Sequence, residues 1–246
     1  MWIINRESVL LLGGRGSLLM QLAHPLVAAG VAEHSDFRAN PLARLRRTLD
    51  TMHTIIFGDE ATARSAIEKV NEMHRHVRGT TEGGHRYDAR EPRLLAWVYS
   101  TLVDSSIKVY SWCVRPLEED EVARYYDETL VLAPLMGIPE GMLPGSYEGL
   151  RAWMDGMIRS GEVHVTPLAR ELAQPILRPL PLVPRRISEG LITASLLPAP
   201  IRAGYGLRLG RAANVLLMMG GRASKRVIPL VPNAVRLFPA ARRAAG

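Results

Sequence analysis

The chain carries a single cysteine, Cys113. One thiol cannot form an internal disulfide or build a cysteine zinc site, so a reducing compartment is the default. Aromatic residues are scarce too, with only three phenylalanines. The core must therefore be made from Leu, Val, Ala and Met. No apolar run approaches the roughly 18 uninterrupted residues of a membrane span. The best stretch, Leu18–Val31, is broken by Gln21, His24 and Pro25. The opening residues MWIINRESVLLLGGRG lack a basic n-region, and Arg6 and Glu7 precede their apolar run, so they read as a poor signal peptide.

Negative charge disappears from the last quarter of the chain. From Pro179 onward the only acidic residue is Glu189, against Arg185, Arg186, Arg202, Arg208, Arg211, Arg222, Lys225, Arg226, Arg236, Arg242 and Arg243. A solvated face explains such a segment, and so does contact with an anionic surface. Nucleic acid is disfavoured, because only Tyr205 and Phe238 are there to stack on bases. The Leu, Ile, Val and Met between the arginines fit a tail that touches a membrane surface. The expectation is a cytoplasmic protein with peripheral membrane contact and no nucleic-acid partner.

Several catalytic signatures are also missing. No G-x-S-x-G elbow occurs, no H-E-x-x-H zinc motif and no phosphate-binding glycine loop. Gly13-Gly14-Arg15-Gly16 follows a helical pattern, not a strand, so it is no nucleotide fingerprint. Glu33, His34, His24 and His53 raise the thought of a non-haem metal site, but the paired Glu-x-x-His of helical di-metal proteins is absent from the helices.

What is present is a helical pattern almost throughout. Apolar residues recur at helical spacing and alternating strands are lacking. With 47% hydrophobic and 22% charged residues, the composition is that of a globular protein with a core. The reading is one all-α domain over residues 1–246. Residues 1–178 form its helical core, and 179–246 are a basic, proline-broken part packed on it. The first helix is expected to stop at Gly13-Gly14, the next at His24-Pro25, and another to begin at Pro25. Thr80–Arg90 reads as a polar loop. A late helix is placed at about Leu207–Met219.

The densest cluster of reactive groups lies in Asn40–Gly79, read as two helices joined at Gly58-Asp59. Asn40-Pro41 is a strong helix start, and Asp59 caps the second helix. Arg44 and Thr48 are four residues apart, on one face, next to Leu45 and Leu49 at the border of the core. An arginine there requires an anion or a carboxylate. That partner is Glu33, Asp36 or Glu68 in one reading, and an anionic ligand edge or reduced oxygen in the other. His74 and His76 point in opposite directions on a helix, and the stripe Ile67, Val70 favours His74 as the inward one. From position alone, an inward His74 serves as a buried neutral histidine or as an axial haem ligand.

The ordered run Gln21-Leu-Ala-His24-Pro25, Gly30-Val31-Ala-Glu33-His34-Ser35, Pro41-Leu-Ala-Arg44-Leu-Arg-Arg47-Thr48, Phe57-Gly58, His74-Arg-His-Val77-Arg-Gly79, Tyr87-Asp-Ala89 and Trp97-Val98 resembles the MpaB / rubber-oxygenase catalytic-domain family, which includes the latex clearing proteins. The likeness covers roughly residues 10–115. It implies an all-α, globin-like core around haem b, with O2 used to cleave carbon–carbon double bonds of isoprenoid chains. By the same resemblance His74 is the proximal iron ligand. Arg44, Arg47 and Thr48 form the R-x-x-[K/R]-T element near the haem on the oxygen side, and Glu33 is the carboxylate there. Arg44, Thr48 and Glu33 are then the catalytic candidates, and His74, Arg44, Arg47 and Thr48 the cofactor-binding ones. Latex clearing proteins have lysine where this chain has Arg47. Arginine stays charged and does not readily ligate iron, so a six-coordinate resting state is not implied here. The expected substrate is a small or membrane-dissolved apolar, lipid-like molecule. The other readings are a haem carrier or sensor without turnover, and a non-haem lipid-binding helical protein.

Overall fold

Helix α6, Pro92–Cys113, is the axis of the molecule in the computed structural model, which describes residues 1–35, 41–177 and 189–244. The side chains of residues 41–46 and of Glu189 lie outside that description. The expected cap Asn40, the acid Asp36 and the segment 179–188 with Arg185 and Arg186 are outside it as well.

The helices before α6 are α1 (Trp2–Asn5), α2 (Leu11–Leu22), α3 (Pro25–His34), α4 (Pro41–Phe57) and α5 (Glu60–Arg75). Two short strands follow α5: β1 (Arg78–Thr80) and β2 (Arg86–Asp88). After α6 come α7 (Glu119–Leu132), α8 (Tyr147–Arg159), α9 (Pro167–Leu177), α10 (Glu189–Leu196), α11 (Ala199–Gly204), α12 (Arg211–Val227), α13 (Asn233–Arg236) and α14 (Pro239–Ala244). Among the described residues the structure is thus all-α apart from one two-stranded antiparallel hairpin. Among the described residues, no helix is long and apolar enough to cross a membrane.

Around α6 pack α2, α12, α8, α7 and α1. Trp97 on α6 is fully buried, and its indole N–H donates to the Met20 carbonyl of α2 at 3.1 Å. Contrary to the expected break, Gly13 and Gly14 lie inside α2. They are there for closeness: a Cβ at Gly13 would come within 2.9 Å of Val109 on α6. A glycine costs about 1 kcal/mol of helix propensity, and the tight α2–α6 packing offsets it.

At Pro25 the chain behaves as its sequence indicates. Pro25 opens α3, and the His24 ring, as N-cap, accepts from the Leu26 N–H. The C-terminal helices return to the core. The Tyr205 hydroxyl donates to the Leu19 carbonyl at 2.8 Å, and Ser224 of α12 donates to the Cys113 carbonyl at 2.8 Å. Helix α12 is longer than expected and lies further along: it begins after Gly210 and runs to Val227.

Candidate functional site

Helices α4 and α5 fold back on each other about Gly58-Asp59. Asp59 caps α5, its carboxylate accepting from the Thr62 N–H at 2.8 Å. The two helices have 17 and 16 residues, so the start of α4 lies beside the end of α5. That register brings Arg44, one turn into α4, and His74, at the end of α5, to the same end of the hairpin. The other end is the anchored one. Ile55 and Phe57 are buried there, and Phe57 packs with Phe238 and Ala241. An apolar cleft of about 480 Å³ between α1, α4 and α7 also lies at the anchored end, against Ile55 and Ile56. Eleven residues of helix separate Arg44 from Ile55, about 16 Å at 1.5 Å per residue.

The open end is tied together by the strand hairpin. The Val77 N–H donates to the His74 carbonyl, and β1 and β2 pair with Gly79 opposite Tyr87. Tyr87 is buried, and its hydroxyl donates to Glu33 at the end of α3. Burial, reinforced by that carboxylate, pushes the Tyr87 hydroxyl up to about 12. His34 donates from Nε2 to the Arg78 carbonyl at 3.2 Å. Thr80–Arg90 is therefore no plain loop. Its strands are only three residues long and polar, too short to show alternation.

Gly79 is the residue this junction depends on. A Cβ there would come within 2.6 Å of the Tyr87 hydroxyl oxygen and 2.9 Å of a Glu33 carboxylate oxygen. Gly79→Ala is expected to destabilise the protein by about 1–3 kcal/mol through forced displacement of Tyr87. Urea melts of the two proteins check this, and an unchanged midpoint would contradict the close contact.

His74 faces inward. It continues the α5 stripe Ala63, Ile67 and Val70, while the neighbouring Met73 is 57% exposed and His76 is exposed beside Glu72. Burial lowers the His74 pKa, so the ring is neutral at pH 7. Among the described residues, its ring takes part in no hydrogen bond, ion pair or ring contact. The stripe around it is incompletely covered. Among the described residues of the hairpin, only Ile55, Phe57 and Ile67 are buried, whereas Leu49, Met52, Ala63, Ala66 and Val70 are half-buried.

The remaining candidates are less convergent. Arg47 and Thr48 are exposed, each engaged by a neighbour, so Thr48 does not border the core as its spacing predicts. Helix α4 buries its C-terminal residues Ile55 and Phe57 instead. The Arg44 side chain lies outside the described residues. Glu33 bonds to Tyr87, a partner that sequence reasoning missed. The available signal was a lone tyrosine placed opposite a glycine.

His24 belongs elsewhere. It is buried, 3.9 Å from Glu162, which Arg93 holds in a two-bonded fork. Burial outweighs the Glu162 attraction and pushes the His24 pKa down to about 4, from the usual 6.5. Between those values the unfolded chain binds a proton that the folded one does not, so stability falls as pH drops from about 6.5 to 4. The loss should total about 3 kcal/mol. In His24→Asn, which keeps an N-cap acceptor, this part of the pH dependence should vanish. Denaturant melts at pH 7 and pH 4 test it, and an unaltered slope would contradict it. His53 packs on Phe238, ring centroids 4.1 Å apart, at the anchored end. Among the described residues, no group of three or more His, Cys, Asp and Glu could hold a metal ion.

Comparison with known proteins agrees with the residue pattern. Two uncharacterized mycobacterial proteins, Mb2261 of Mycobacterium bovis and Rv2237 of Mycobacterium tuberculosis, are each 30% identical over 132 residues. The alignment covers 52% of this chain and 52% of each relative, so the chain spans about half the length of the curated relatives it matches. No solved structure matches. Residues 1–226 match a family described as the ER-bound oxygenase mpaB/B'/Rubber oxygenase, catalytic domain. The chain belongs to this mpaB / rubber-oxygenase catalytic-domain family.

Proposed function

We propose that the protein is a haem-b-dependent oxygenase acting on an apolar, isoprenoid- or lipid-like substrate, with His74 as the iron ligand. The observation that carries this reading is the state of His74: inward, neutral and without a polar partner among the described residues. A haem protein needs only one such imidazole nitrogen on the proximal side. The half-buried Leu49, Met52, Ala63, Ala66 and Val70 supply apolar surface of the kind a flat macrocycle covers. Residues and cofactor therefore fit.

Haem b, when bound, supplies the redox chemistry that activates O2. The chain's own residues would do the rest. Arg44 starts at the same end of the hairpin as His74, and its guanidinium is permanently charged. It is our candidate for stabilising negative charge that develops on oxygen, with the Thr48 hydroxyl as a second donor. Arg47 is the candidate for an anionic edge of the cofactor. Glu33, already accepting the Tyr87 hydroxyl hydrogen, is the candidate carboxylate beside the reacting groups. Once covered by the cofactor and an apolar substrate, the stripe would keep water from the reacting groups.

Oxygen uptake by the haemin-loaded protein tests the oxygenase part. Uptake with an isoprenoid alkene, accompanied by a carbonyl product, is expected. A coloured protein that consumes no oxygen with any alkene would instead be a haem carrier or sensor.

A further inference from the structure

Helix α12 lies against α6 along one side only. Gly221 is buried so closely that a Cβ there would come within 2.6 Å of the Trp112 indole nitrogen. Trp112 in turn donates to the Leu217 carbonyl at 3.2 Å. The side turned away from α6 is apolar where a solvated helix would be polar. Val215, Leu216, Met218 and Met219 are about half exposed or more, with Met219 at 59%. Helical spacing puts Arg222 and Arg226 on the same outward side as Val215 and Met219, and both are exposed. Leu230, just past the helix, is 81% exposed. No aspartate or glutamate occurs anywhere after Glu189.

We propose that this face of α12 is a docking surface for an anionic lipid bilayer. Lipid-like surface would cover the Val, Leu and Met side chains, while the arginines reach the headgroups with their stems along the apolar layer. Charge decides against a second copy of the chain. Pairing two such faces would press Arg211, Arg222 and Arg226 of each against the other, with no carboxylate on α12 itself to compensate. A nucleic acid would gain phosphate contacts but no aromatic stacking, and the apolar side chains would stay uncovered. The proposal is independent of the haem reading, since it draws on no residue of the α4–α5 hairpin.

The test is co-sedimentation of the full chain with vesicles of phosphatidylcholine mixed with phosphatidylglycerol, against vesicles of phosphatidylcholine alone. Binding should require phosphatidylglycerol and should weaken as salt rises. Arg222→Glu with Arg226→Glu should weaken it by about 30-fold or more, each basic residue near such a surface being worth roughly a factor of six. Met219→Glu should weaken it by about tenfold or more. All three positions are exposed, and circular dichroism controls for folding. Binding indifferent to lipid charge, or unaltered in both variants, would overturn the proposal. So would self-association that Met219→Glu abolishes, which would assign the face to a second copy, and so would binding to a DNA duplex in preference to the vesicles.

Discussion

His74→Ala is expected to reduce haem retention to near zero while leaving the fold intact. In the proposed reading the imidazole would hold the iron, and among the described residues it makes no other polar interaction. Its removal therefore takes away a ligand and little else. The truncated ring is half-buried at the end of α5, where loss of packing is limited. Thermal melts of the cofactor-free wild type and variant should agree within about 1 kcal/mol. Added imidazole should restore part of the haem absorbance in the variant, because it replaces the missing nitrogen without the chain. Acid should release haem from the wild type as the ring protonates. A His74→Ala protein with full haem content and an unchanged spectrum would place the ligand on another residue.

Arg236→Ala is expected to be the most destabilising single change described here. Glu7 is fully buried, and both its oxygens accept from the Arg236 guanidinium, at 2.8 and 2.7 Å. Removing the arginine strips the buried carboxylate of both hydrogen bonds and leaves Arg6, 3.7 Å away and not hydrogen-bonded to it, as its nearest cation, a loss of about 3 kcal/mol. In a chain of this size that is a drop in Tm of roughly 10 °C. The consequence extends beyond the pair. Leu237 bridges to Glu7, the Phe238 N–H donates to the Arg6 carbonyl, and Phe238 packs on Phe57 of α4. The pair therefore fastens the C-terminal helices to both the N-terminal segment and the anchored end of the α4–α5 hairpin. Combining Arg236→Met with Glu7→Leu should recover part of the loss, since neither member of the pair is then stranded, while Arg6 loses the carboxylate 3.7 Å from its Nε. Equal melting temperatures for wild type and Arg236→Ala would show that the pair holds nothing.

The helical skeleton was legible because its signals are local. Pro25 as a helix start, the Gly58-Asp59 turn and the stripe through Ile67 and Val70 each act within one or two turns, and each appears in the structure as its residues indicate. The inward orientation of His74 follows from the same stripe. What escaped depends on partners distant in sequence. Gly13 reads as a helix break until Val109 is seen 2.9 Å from where its Cβ would be. Tyr87 reads as one residue of a polar loop until β1 sets it opposite Gly79 and aims it at Glu33, 54 residues away. Thr48 shares a helical face with Arg44, but spacing cannot tell which residues of α4 the core covers, and its side chain is exposed. The boundaries of α12 shifted for a related reason: contacts with Trp112 and Cys113 on α6 carry the helix on to Val227, beyond the apolar run that marks it in sequence.

The central claim is that His74 is the axial ligand of a haem held at the open end of the α4–α5 hairpin. A haemin titration of the cofactor-free protein, followed in the Soret region, tests it most directly. The prediction is a saturating Soret band at one haemin per chain in the wild type, and none in His74→Ala. Absence of a band in the wild type would contradict the claim, as would equal bands in the two proteins.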